Sequence, residues 1–205
     1  MTTLATYSFV RADVNPIPNP PWETPSGTVA LKVLSNAAVT SIAGNDCWGV
    51  HSQGGVTWPA DQWSEIIPSA VGGADFGPVV HATVASWNGY MLTNFDATNL
   101  YIYEVVTGGF TQVASGAGAY SGTQAVYIES KVSGANKIVK GFINGVEKAS
   151  YTDTSPRATG TPGFFHFDGT SGTTSWQGGD FSSPAASSFQ PVRSTMTRLA
   201  PFRHF

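Results

Sequence analysis

The stretch Lys137-Ile138-Val139-Lys140-Gly141-Phe142-Ile143-Asn144-Gly145-Val146-Glu147-Lys148-Ala149-Ser150-Tyr151-Thr152 decides the fold. Two alternating runs, 137–143 and 146–152, flank an Asn-Gly pair. A period of two sends successive side chains to opposite faces of a sheet. Asn-Gly supplies the two positive-φ positions that a type I′ turn requires. The stretch therefore reads as a β-hairpin.

The same pattern extends outward in both directions. Residues 125–132 put Val126, Ile128, Ser130 and Val132 on one face and Tyr127, Glu129 and Lys131 on the other. Residues 89–94 and 100–106 are rich in aromatic and β-branched side chains, as strands prefer. Residues 76–85 read as a long apolar strand ending in a turn at 87–89. Earlier candidates are 3–9, 29–34, 46–51 and 62–67; later ones are 162–167 and 174–181. Trp63, Ile66 and Ile67 also fit a helical face, but Pro59 and Pro68 leave room for only two turns. The reading is all-β: about a dozen short strands, with turn signals every eight to twelve residues or so, in a two-sheet antiparallel jelly-roll sandwich.

Composition agrees. The 205 residues are 41% hydrophobic and 11% charged, with 23 Gly, 13 Pro and six Trp. This excludes a coiled coil and a helical bundle. No apolar run approaches the roughly eighteen residues of a membrane span. The net charge of −3 argues against nucleic acid as a partner. The lone Cys47 has no second cysteine for an internal disulfide. No basic and apolar leader opens the chain, so a protein made in the cytoplasm is expected, with release by lysis or within a particle left open.

Charge divides the chain in two. Residues 1–181 carry all thirteen acidic side chains and seven Lys/Arg, a balance of −6, whereas 182–205 carry Arg193, Arg198 and Arg203 and no acid, a balance of +3. The boundary at 181/182 opens on a Ser/Ala/Pro linker. The rest of this C-terminal extension interleaves those arginines with Val192, Met196, Leu199, Phe202 and Phe205. Such a segment is read as an anchor onto other chains of an assembly, or onto a second copy.

Several segments, spread over residues 3–181, together resemble the concanavalin A-like lectin/glucanase jelly roll in its laminin-G-like branch. They are Tyr7-Ser8-Phe9-Val10-Arg11-Ala12-Asp13, Ala60-Asp61-Gln62-Trp63-Ser64-Glu65, the meander from Gly77 to Val105, the run from Val132 through Asn144-Gly145 to Gly163, and Trp176-Gln177-Gly178-Gly179-Asp180-Phe181. The resemblance implies a lectin-like domain at 1–181. It implies function less sharply, because modules of this kind bind glycans, mediate adhesion or act as spacers, and some hydrolyse glycans.

Chemistry-bearing patterns are sparse. The Glu-x-Asp-x-x-Glu run of the superfamily's glucanases is missing, and the nearest stand-in is Glu104 with Glu129, read as exposed residues on two strands of one sheet. There is no Gly-x-Ser-x-Gly, and Cys47 has only His51 near it. His51, His81, His166 and His204 lack ligand spacing, and His166-x-Asp168 reads as a strand end. Asn94 to Asn99 offers oxygens for calcium, but Asx residues are ordinary turn punctuation. No cofactor and no metal are therefore expected.

Aromatic side chains beside polar ones are the better lead, because sugar C–H faces stack on Trp and Tyr. The candidates are Trp48, His51, Trp58, Asp61, His81, Trp87, Asn88 and Tyr127, with Trp63 and Trp176 assigned to the core. The expectation is a non-catalytic, lectin-like module on the surface of an assembly such as a phage virion, with polysaccharide as a ligand. The alternative is a glycan-acting enzyme.

Overall fold

A computed structural model describes residues 1–9, 13, 22–23, 31–35, 37–40, 47–51, 58–70, 76–83, 85–94, 98–120, 122–156, 160–167 and 172–181. Fifteen strands among them build two antiparallel sheets, and no helix is present among these residues. One sheet runs β13 (Val146–Asp153), β12 (Asn136–Ile143), β11 (Val126–Ser133), β6 (Gln62–Ala70), β15 (Gly172–Asp180), β4 (Ala37–Thr40) and β3 (Leu31–Leu34). Its eighth strand, β1 (Thr2–Ser8), also pairs with β15. The other sheet runs β10 (Gly109–Ala117), β9 (Asn99–Val106), β8 (Asn88–Thr93), β7 (Phe76–Thr83), β14 (Thr161–His166), β5 (Cys47–His51) and β2 (Trp22–Glu23). This is the expected two-sheet jelly-roll sandwich. The extension at 182–205, with all its anchor candidates, lies outside the described residues.

The hairpin that decided the reading is present. Ile143 pairs with Val146 across the turn, where Asn144 has φ 49° and Gly145 φ 77°. Asn144 also ties the turn to the start of β11: its N–H donates to Ala125 O (2.9 Å) and its Oδ1 accepts from Ala125 N (3.0 Å). A Cβ on Gly145 would meet nothing within 4 Å, so conformation alone demands glycine there. Gly145→Val is expected to lower stability by about 1 kcal/mol or more, because a β-branched residue resists left-handed φ. Gly145→Asn should cost less; equal midpoints for Val, Asn and parent in denaturant titration would refute this account of the turn.

The core lies between the sheets. Ile66, Val126, Ile128, Val139 and Trp176 from the eight-stranded sheet meet Val80, Tyr90, Leu92, Leu100, Ile102 and Phe164 from the other. The alternating residues point away from this interior. On the seven-stranded sheet the outward set includes a second apolar cluster, Val79, Ala82, Met91, Val105 and Phe165, with Trp87 and Tyr103 packed against it.

Candidate functional site

The outer face of the eight-stranded sheet is built by register. On β6, Ser64 turns inward, donating from Oγ to Gly163 O of the opposite sheet (2.6 Å). Trp63 and Glu65 must then point outward. Glu65 pairs with Tyr127 of β11 and with Gln177 of β15, and Trp63 pairs with Glu129 of β11. Phe142 of β12 continues the row beyond Tyr127, and Lys140 lies beside Glu129. Three aromatic rings, two carboxylates and an amide thus share one face of four adjacent strands.

These groups are tied to one another. Tyr127 Oη donates to Glu129 Oε2 (3.0 Å), and Lys131 Nζ donates to both Glu129 oxygens (3.1 and 3.2 Å). Gln177 Nε2 donates to Glu65 Oε1 (2.7 Å). Trp63 Nε1 donates to Asp180 O (3.0 Å). The Tyr127 ring lies 5.7 Å from Trp63 and 5.2 Å from Phe142, and Lys131 Nζ sits 4.0 Å from the Phe181 ring centroid. Although they face away from the core, Trp63, Glu65, Tyr127 and Glu129 are only 3–8% exposed. Burial pushes the Glu65 carboxyl up, partly offset by the Gln177 hydrogen bond. Burial also holds Tyr127 protonated, reinforced by Glu129 and more distantly by Glu65, so its hydroxyl stays a donor.

The sequence candidates fall in several places. Tyr127 belongs to this face. Asp61 sits at the head of β6, where its Oδ1 accepts from Val132 N (2.7 Å). Trp58 is half-buried against the core, 6.4 Å from Trp176. Trp87 and Asn88 belong to the other sheet: Trp87 packs edge-on to Phe110 (5.4 Å), and Asn88 Oδ1 accepts from Thr107 N (2.7 Å). The backbone of Trp48 and His51 runs in β5, and their side chains lie outside the described set.

Three expectations need correction. His81 is on no surface: it is fully buried between the sheets, because β7 turns it inward at a left-handed φ of 55°. Glu104 and Glu129 do not share a sheet, since β9 and β11 belong to different layers, and Glu129 is buried rather than exposed. Trp63, assigned to the core, is buried but on the outer face. Trp63, Glu65, Phe142 and Gln177 of this face were not among the sequence candidates. Their signal was the phase of each strand: once Ile66 and Ile128 are taken as inward, positions 63, 65, 127 and 129 fall together on the other side.

Among the described residues no group of three or more His, Cys, Asp or Glu side chains has the arrangement of a metal site. His166 is buried and stacked on Phe76 (5.2 Å), and burial pushes its imidazole down to about 3. Asn94 is buried at the end of β8.

The sequence matches no family model and no curated protein. Solved structures do match the fold. A Bacillus subtilis carbohydrate-binding module is similar at TM-score 0.53 and 16% identity, covering 77% of this chain and 91% of that one. A Bacillus subtilis protein of unknown function with a galectin-like fold is similar at TM-score 0.58 and 12% identity, covering 88% and 94%. The apo Crh5 transglycosylase is similar at TM-score 0.52 and 13% identity, covering 88% and 85%. The architecture is the galectin-like, concanavalin A-like jelly roll. At these identities the similarity speaks for fold alone.

Proposed function

We propose that the protein binds an extended glycan, without cleaving it, on the outer face of the eight-stranded sheet. The observation that carries the reading is the shared face of Trp63, Tyr127 and Phe142 with Glu65, Glu129 and Gln177. Of these, Phe142 and Gln177 are half-buried and reach solvent, where a ring stacks on a sugar C–H face and an amide reads hydroxyls, while the buried Trp63, Tyr127, Glu65 and Glu129 brace them from beneath. The internal hydrogen bonds hold these groups in place before any ligand arrives, which reduces the ordering cost of binding. That a similar structure is named a carbohydrate-binding module supports the reading. We extend the proposal to a surface subunit of a larger assembly, in which 182–205 provides attachment; the support is the opposite charge of the two parts of the chain. The laminin-G-like branch remains the narrower placement suggested by the quoted segments.

One observation favours a second reading, glycoside hydrolysis. Glu65 and Glu129 are diagonal neighbours on adjacent strands, a relation that separates such positions by about 7–8 Å. Paired catalytic carboxylates stand about 5–9.5 Å apart. Their surroundings also differ: burial raises Glu65, while Lys131 and Tyr127 donate to Glu129.

Affinity electrophoresis against a panel of polysaccharides separates the readings. Retardation is expected with at least one, weakened tenfold or more by Trp63→Ala and left at the parental level by Trp87→Ala. Absence of retardation throughout, or parental behaviour of Trp63→Ala, would remove the proposal. Release of reducing ends that Glu65→Gln and Glu129→Gln abolish would replace it with hydrolysis.

A further inference from the structure

The interior holds polar groups that the glycan face does not use. From them we infer that the two sheets are fastened by a proton-ordered latch, in which His81 is the neutral Nε2–H tautomer and Lys137 a neutral amine, and that acid opens it. The inference is independent of the glycan reading.

Gln62 sets the proton order. Its Oε1 accepts from His81 N (3.0 Å), and its Nε2 donates to Pro59 O (3.0 Å) and Gly160 O (3.3 Å). Three backbone partners therefore fix which end of the amide is which. The same Nε2 lies 3.2 Å from His81 Nδ1. An NH₂ group has hydrogens and no free lone pair to offer, so Nδ1 must present its lone pair. The single proton of a neutral imidazole then sits on Nε2.

That nitrogen has two neighbours in the opposite sheet, Ser130 Oγ of β11 and Lys137 Nζ of β12, each at 3.0 Å. Ser130 can accept. An ammonium cannot: it would turn N–H toward N–H at hydrogen-bond distance. A neutral amine has a lone pair and shares the Nε2 proton with Ser130. Both side chains are sealed in, His81 at 0% and Lys137 at 2% exposure. The backbone is strained at the same point, since His81 holds φ 55°.

Among the described residues, the charged and titratable groups around the latch are Asp61 beside Gln62 on β6, Tyr90 on β8, whose ring is edge-on to His81 at 6.1 Å, and Asp153 on β13, opposite Lys137 in register. Asp153 is already engaged, accepting from Tyr90 Oη and from Ser155 N (2.8 Å), and Asp61 accepts from Val132 N. The two carboxylates favour an ammonium on Lys137, and burial outweighs them, lowering Lys137. Burial pushes His81 down to about 3, and a positive Lys137 would push it the same way.

The sign follows from linkage. The fold favours unprotonated His81, so its contribution is present above the unfolded value of 6.5 and is lost as pH falls toward 3. The charge added to His81 between the sheets then opposes their packing.

The test is side-chain ¹⁵N NMR of the parent protein at pH 7. The expected result is a protonated Nε2 and unprotonated Nδ1 for His81, with the Lys137 nitrogen at an amine shift. An Nδ1–H tautomer, or an ammonium shift for Lys137, would overturn the latch. Thermal melts from pH 8 to 3 add a second readout. Parent Tm should fall steeply below about pH 6, and His81→Gln should flatten that fall. An acid limb unchanged by His81→Gln would count equally against it, and if the variant fails to fold, the parent spectra decide alone.

Discussion

Trp176→Ala is expected to lower the unfolding free energy by about 3–5 kcal/mol, the range for removing a large buried aromatic side chain. Trp176 is fully buried at the centre of β15. Its ring meets Trp22 edge-on at 4.9 Å and Trp58 at 6.4 Å. Its Nε1 donates to Ser64 Oγ (2.9 Å) and Gly163 O (3.2 Å), so one side chain bridges β15, β6 and β14. Alanine would leave a cavity between sheets whose strands cannot close in without disturbing their ladders. Ser64 Oγ keeps its bond to Gly163 O, so the polar loss is smaller than the cavity. Trp176→Phe should therefore retain most of the stability. The check is urea unfolding at constant m-value, and a loss below about 1 kcal/mol for the alanine variant would mean that this ring is not the centre of the core.

Gly160→Ala is expected to be comparably damaging, at about 2–6 kcal/mol. Gly160 has φ +133°, and a Cβ there would sit 2.3 Å from the carbonyl carbon and oxygen of His81. Backbone cannot step aside as a flexible side chain can. The costs are conformational strain of about 1–3 kcal/mol and overpacking of about 1–3 kcal/mol. Relieving that contact moves residue 160 and with it Gly160's own carbonyl, which accepts from Gln62 Nε2, and so shifts the amide that orders His81. Stability should drop and the His81 ring signals should move together. A variant with parental stability and unmoved His81 resonances would contradict the close approach.

The fold was legible because its signals are local. Asn144-Gly145 announces its own turn, and the alternation of 126–132 states which face is apolar. Strands β2, β4 and β10 were missed for physical reasons. β10 reads Gly-Phe-Thr-Gln-Val-Ala-Ser-Gly-Ala, with little bulk to show a period, and as an edge strand it needs only β9 for its ladder. β4 has four residues and β2 two, too short to show periodicity.

The site was harder to read because it is assembled from strands far apart in sequence. Glu65 and Tyr127 face each other only through the pairing of β6 with β11, which no local pattern encodes. His81 misled for a related reason. Its inward turn rests on a left-handed backbone angle and on Gln62, Ser130 and Lys137, each from a different strand. Trp58 and Trp87, singled out for their loop sequence, each pack against an apolar cluster of the sandwich. Trp63, placed inside by its alternation, instead contributes its ring to the outer face.

The central claim is that sugar meets the protein on the outer face of the eight-stranded sheet. Backbone and indole NMR shifts during titration with a soluble fragment of a retarded polysaccharide test it most directly. The account predicts saturable shifts at the Trp63 indole and at the amides of Glu65, Tyr127, Glu129 and Gln177, while those of Met91, Tyr103 and Val105 stay unmoved. Shifts confined to Met91, Tyr103, Val105 and Trp87 would place the ligand on the opposite sheet and contradict it.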